Sequence, residues 1–155
     1  MTNLSRAIKL NNKGQAMVEM AFVIFLLVLL IFGMTEFGRA MYTKNTLNNA
    51  ARAGARAAVV TSGIVNCAAA GLASPCAGDG PIFTTIDNSI VAAIDKSTVN
   101  VTVALLDNAG NGKSPPAITG DQIRVTVTAV FNPVLGLMRR MIRGTLSGEA
   151  TMRFE

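Results

Sequence analysis

From Met20 to Met34 the sequence reads MAFVIFLLVLLIFGM, fifteen residues without a charge, and such a run admits few folds. As a helix it is about 22 Å long, short of the roughly 30 Å hydrocarbon core of a bilayer. Extended back to Ala16 it has nineteen positions and reaches about 28 Å, enough to span. That extension takes in Glu19. A lone carboxylate at helix centre costs about 2.5–3.5 kcal/mol on insertion scales, and less near an interface. A plain anchor has no use for one, so Glu19 is a functional candidate in need of a partner.

Composition narrows the function. The chain has 155 residues, 14 Lys+Arg against 9 Asp+Glu, and neither His nor Trp. Without His there is no His-dependent triad, no His general base and no common zinc site. With two Cys a four-Cys metal site is excluded as well. The chain reads as no enzyme, with no metal and no cofactor. Its net charge of +5 does not point to nucleic acid, which calls for a dense basic stripe with stacking aromatics. Instead Arg6, Lys9 and Lys13 precede the apolar run with no acid among them. Retained positive charge of that kind marks the cytoplasmic side of a span. The bilayer is the first expected partner; no small-molecule substrate is indicated.

The residues before Glu19 suggest its partner. They read Lys13-Gly14-Gln15-Ala16-Met17-Val18-Glu19. A cut after Gly14 would free an amine on Gln15 and make Glu19 the fifth residue of the mature chain. An ammonium and a carboxylate four residues apart can neutralise each other, within one chain or between neighbours. Here the sequence resembles a type IV prepilin, and more narrowly the TadE-like minor pseudopilins of the tight-adherence (Tad, type IVb) pilus system. Those proteins have a short basic leader, a Gly at the cut and a Glu at mature position five. Met20 departs from the pattern, since relatives usually carry an aromatic there.

The alternatives are a secretory signal peptide cut near Gly38-Arg39-Ala40, with a mature start near Met41, and a plain uncleaved anchor. The apolar run is slightly long for a signal peptide, and Glu19 sits badly at its start.

Past the exit at Glu36–Arg39 the chain is Ala-rich and has no Pro before Pro75. One continuous helix is expected from about Gln15 to about Thr61, spanning the membrane over about 16–35 and stopping near Ser62-Gly63. Asn45, Asn48 and Asn49 lower its local propensity. From Ala50 to Ala58 the sequence is AARAGARAA. Small residues at 50, 54 and 58 share one face, suited to close approach of a sheet or of a neighbouring subunit's helix. Arg52 and Arg56 share another, which reads as a solvated face or an inter-subunit contact. This segment also resembles the TadE-like family, whose helix commonly ends Ala-Arg-x-Gly-Ala-Arg; Arg52, Gly54, Ala55 and Arg56 match, as a helix-packing motif.

Residues 62–155 form an expected extracytoplasmic head. Cys67 and Cys76 frame a Gly/Ala/Ser/Pro loop. Outside the cytoplasm such a pair is normally oxidised, closing a loop worth a little under about 3 kcal/mol; two free thiols are the alternative. Thr84–Asp95, with Ile86, Ile90 and Ile94 four apart, predicts a short amphipathic helix. The period then becomes two. Val99–Leu105, Ile123–Phe131 and Leu146–Phe154 read as three half-buried strands, with Gly148 on the apolar side of the last. The expected fold is α+β, with the C-terminal half of the long helix packed as a stalk on a small antiparallel sheet. The family also ends in a β pattern closing on a Met-Arg-acid tail, as Met152-Arg153-Phe154-Glu155 does. Residues 62–98 match nothing in the resemblance.

DNAGNGKS, from Asp107 to Ser114, imitates a phosphate loop and a calcium loop. It lacks the first Gly of the former and, at Ala109 and Ile118, two ligands of the latter. Its Asn, Gly and Pro content reads as a strand connection. Asn132–Gly144 mixes Leu, Met and Ile with Arg139, Arg140 and Arg143. It reads as a loop or short helix tucked under the sheet, or as a basic apolar patch for lipid headgroups or a partner.

The resemblance implies a minor pseudopilin, since major Tad pilins are typically much shorter. It implies a leader over residues 1–14, removed by a prepilin peptidase of the aspartyl type, and Glu19 setting register in assembly. Implied partners are that peptidase, other pilin and pseudopilin subunits and the inner-membrane assembly platform. Implied location is the bacterial inner membrane, single-pass, with the N-terminus cytoplasmic and the head periplasmic, and the pilus after assembly. The implied role is pilus initiation, tip or assembly, for adhesion. The reading from a different class is a membrane-anchored binding or sensory module that never polymerises.

Overall fold

The computed structural model describes residues 12–60, 67–70, 80–90, 94–133 and 144–155, of which 12–13 and 67–70 are described by backbone alone. The leader through residue 11, Cys76 and most of the 132–144 segment therefore lie outside the described residues. The chain divides into two compact units, Met1–Phe37 and Gly38–Glu155.

Helix α1 is Asn12–Val60, 49 residues without a break. In the first unit its apolar side chains, Met17 to Phe37, are exposed all round, as a helix with no protein around its apolar surface must be. Among the described residues α1 is the one helix long and apolar enough to cross a membrane. The three Asn do not interrupt it. Its Thr residues, poor helix formers, are satisfied locally: Thr35, Thr43 and Thr46 hydroxyls donate to the carbonyls of Ile31, Arg39 and Tyr42 at 2.9–3.0 Å.

The second unit is an α+β head. Strands β1 (Cys67–Ala70), β2 (Asn100–Leu106), β3 (Gln122–Phe131) and β4 (Gly144–Arg153) form one antiparallel sheet in the order β1-β2-β3-β4. The last three are the strands that the alternation predicts. Val101, Val103 and Leu105 of β2, and Ile123, Val125, Val127 and Ala129 of β3, are buried. Their neighbours Thr102, Arg124 and Glu149 stay in solvent. The covered face packs on Leu47, Ala50, Ala51, Ala55 and Ala58 of α1 and on Ile82, Phe83 and Ile86 of α2 (Gly80–Ser89). One sheet face removed from water by two helices is the arrangement that these periods require.

Two elements differ from expectation. Helix α2 starts four residues before Thr84 and ends at Ser89. Pro81 fits the first turn, where its missing N–H costs no bond. Ile94 is buried from outside the helix, just ahead of a 3-10 turn at Lys96–Thr98 that Asp95 caps. Strand β1 was not expected; Cys-Ala-Ala-Ala carries no alternation and little strand propensity.

Between β2 and β3 the chain turns on Asp107. Its Oδ1 accepts from Ala109 N at 2.9 Å and Asn111 N at 2.8 Å, with Gly110 at φ +87°. This is turn chemistry.

Candidate functional site: the long helix and its contacts

Gly14 and Gln15 lie in the opening turns of α1, which begins three residues before Gln15. Gly14 is a poor helix former, and no acid lies in the first turn. Glu19 stands one turn further on, i to i+4 from Gln15, so the two share a face about 6 Å apart along the axis. Glu19 is exposed, and among the described residues no ion pair reaches it.

At the other end, the segment from Arg52 to Arg56 separates by face. Gly54 and Ala55 are buried, Arg52 and Arg56 are exposed, and neither Arg makes an ion pair among the described residues. The burial of Gly54 is specific. A Cβ there would lie 2.7 Å from the Ile86 side chain of α2 and 3.4 Å from Val125 Cγ1 of β3. The small-residue face is thus occupied by this chain's own head.

Two contacts fix α1 to β4 that sequence reasoning does not supply. Gly148 approaches so closely that a Cβ would lie 2.3–2.5 Å from backbone atoms of Leu47 and Asn48. The signal was present, a Gly on the apolar side of a strand, which marks close backbone approach. Beside it Lys44 Nζ donates to Ser147 O, placing a charged side chain at the outer strand. Lower on the helix, the Arg39 guanidinium lies over the Phe131 ring, 5.6 Å from its centroid.

The described residues hold no cluster of three His, Cys, Asp or Glu that could bind a metal. The pairing of Cys67 with Cys76 falls outside the described residues.

An exposed apolar helix with one acid near its start, running into an Ala/Arg segment buried on one side, is the geometry to be compared. Residues 14–56 match the family model described as TadE-like protein. Over this helix the chain is similar to TadE-like proteins. The match opens at Gly14 and closes at Arg56, so it contains Glu19 and the whole Arg52–Arg56 motif and leaves the sheet out. No curated protein and no solved structure matches the chain. The likeness to TadE-like proteins is thus one of the apolar helix and its Ala/Arg end.

Proposed function

We propose that the chain is a minor pseudopilin of a Tad pilus system, cut by a prepilin peptidase between Gly14 and Gln15. Its role is in pilus initiation, tip formation or assembly for adhesion. The observation that carries this reading is the family match opening at Gly14, with Glu19 as fifth residue of the cut chain and the apolar helix running on from it. Arg6, Lys9 and Lys13 hold the leader in the cytoplasm, which puts the head in the periplasm.

The physical logic is charge balance. Glu19 alone near the lipid boundary is unfavourable. The amine that cleavage exposes on Gln15 lies one helical turn away, within one chain or on an adjacent subunit, and offsets it in a medium of low dielectric. A subunit that is not correctly cut keeps an unbalanced acid, which ties assembly to processing. Other pilin and pseudopilin subunits and the inner-membrane platform are then the partners of the exposed helix.

Gly14→Asp tests the cut: the longer precursor should accumulate in the membrane, seen as a slower band on a gel. A normal mature band from that variant would place the cut elsewhere. One observation favours a second reading, a membrane-anchored binding module that does not polymerise: the sheet lies wholly outside the family match. Under that reading Glu19→Ala is tolerated; under the first it abolishes incorporation.

A further inference from the structure

Strand β4 ends the sheet on one side, and its outer edge has a readable phase. In an antiparallel strand the N–H and C=O of one residue point to the same side, and successive residues alternate. Phe154 N–H donates to Asp121 O at 2.8 Å and its carbonyl accepts from Gly120 N at 2.9 Å, so Phe154 faces β3. The Ser147 carbonyl accepts from Lys44 Nζ, so Ser147 faces away from β3. The register with β3 is unbroken from Gly144 to Arg153, and the two observations agree on its phase. Thr145, Ser147, Glu149, Thr151 and Arg153 therefore turn their main chain outward.

Helix α1 crosses β4 at Gly148, and by Gly54 it lies over Val125 of β3. From Glu149 onward it has left this edge. Among the described residues, nothing bonds the outward N–H and C=O of Glu149, Thr151 and Arg153. Such a row is a template for another strand, and the side chains select which one. Paired with itself, antiparallel about Thr151, the edge is self-complementary. On the exposed face Glu149 stands opposite Arg153 of the second copy, and Arg153 opposite Glu149 of the second copy. On the other face Ala150 stands opposite Met152, two half-buried residues packed on the core. The same register makes the outward residues the hydrogen-bonded pairs, as their main chain requires.

Neither charge has to leave its present partner. Glu149 accepts Arg124 Nε on Oε1 at 2.9 Å, with its side chain 55% exposed, and Arg153 donates to Asn108 Oδ1 from Nη2. A carboxylate has a second oxygen, and a guanidinium has five N–H groups.

We propose that two copies of this chain join through β4, antiparallel about Thr151, so that their two sheets become one. The contact is isologous, with one patch serving both copies. It goes beyond the proposed function and involves the head unit alone, whether or not the chain is cut at Gly14.

Sedimentation of the full chain in detergent tests this. The unaltered chain should form a reversible dimer. Thr151→Pro should abolish the dimer and keep the head folded, because that N–H makes no bond within the chain and such an edge tolerates Pro; circular dichroism checks the fold. Glu149→Arg and Arg153→Glu should each weaken the dimer about tenfold, by setting like charges opposite one another. Mixed in equal amounts, these two variants should pair as tightly as the unaltered chain, since each then meets its opposite charge. Should Thr151→Pro not fold, the mixture carries the test alone. A chain that stays monomeric would overturn the proposal and leave the edge to a strand of another protein. A dimer indifferent to the substitutions, as association through the apolar helix would be, or a mixture that fails to restore pairing, would also overturn it.

Discussion

At Gly148 one hydrogen atom stands where any other residue would drive a carbon into the backbone of α1. The obstructing atoms are the Leu47 carbonyl and the Asn48 nitrogen, which move only if the helix moves. Gly148→Ala should therefore destabilise the head by about 1–3 kcal/mol or more, read as a lowered thermal midpoint of the full chain in detergent. Gly144→Ala, at the open start of the same strand, should stay within about 0.5 kcal/mol. Equal effects from the two would show that β4 does not need its close approach. Gly54→Ala should cost less than Gly148→Ala, since the obstructing group is the Ile86 side chain and Ala returns up to about 1 kcal/mol of helix propensity.

Acid sensitivity also belongs to this scale. The Asp121 side chain is 5% exposed, and its Oδ2 accepts from Lys113 Nζ at 2.5 Å and Ile118 N at 2.8 Å. The Lys113 bond first, then the backbone bond, hold its carboxyl below the usual carboxylate range against the opposing effect of burial. A carboxyl depressed by folding contributes stability that is complete above its unfolded value, about 4, and is lost as pH falls through the native one. The full chain should lose midpoint temperature on acidification below about pH 4. Asp121→Asn should start lower at neutral pH and lose less on acidification. Parallel curves for the two proteins would remove Asp121 from the account. Gly148 was visible in the sequence as a glycine on the wrong side of a strand, but its partner was not, because no local pattern says which helical turn a strand will cross.

Elements were legible in proportion to the strength of their periods. Strands β2, β3 and β4 alternate over seven to ten residues, and each keeps the buried face that the alternation predicts. Helix α1 was legible because alanine and a long apolar run leave no competing structure. Strand β1 was not, since its four residues pair only through backbone bonds to β2, which side-chain patterns do not record. The shift of α2 has a similar cause: isoleucines four apart look the same whether the last one is in the helix or folded back beyond it. Gly14→Ala should stiffen α1 at the proposed cut by about 0.5–1 kcal/mol and slow the proposed cleavage. A peptidase rate unchanged in that variant would show that unwinding is not part of recognition.

For the whole molecule, the apolar surface of α1 decides what environment the chain needs, and in the proposed function Glu19 decides what must happen in it. The Arg52–Arg56 motif divides its work between the two requirements. Its small residues anchor the head, and its arginines stay in solvent, open to a partner. The head itself carries features that sequence alone did not assemble: the Gly148 crossing and the Arg39–Phe131 contact each join residues far apart in the chain. Replacing Glu19 with Gln should leave the head's thermal midpoint unchanged while abolishing incorporation into pili, because the acid is exposed and lies outside the Gly38–Glu155 unit that holds the sheet. A lowered midpoint in that variant would mean that Glu19 supports the fold.

The claim on which this reading stands is that proteolysis beside Glu19 supplies the charge that balances it. The intact mass and N-terminal sequence of the protein, purified from membranes of its own cells while pili are being made, test this directly. A chain beginning at Gln15 is the result expected. One that retains its initiator methionine, or that begins near Met41, would contradict it.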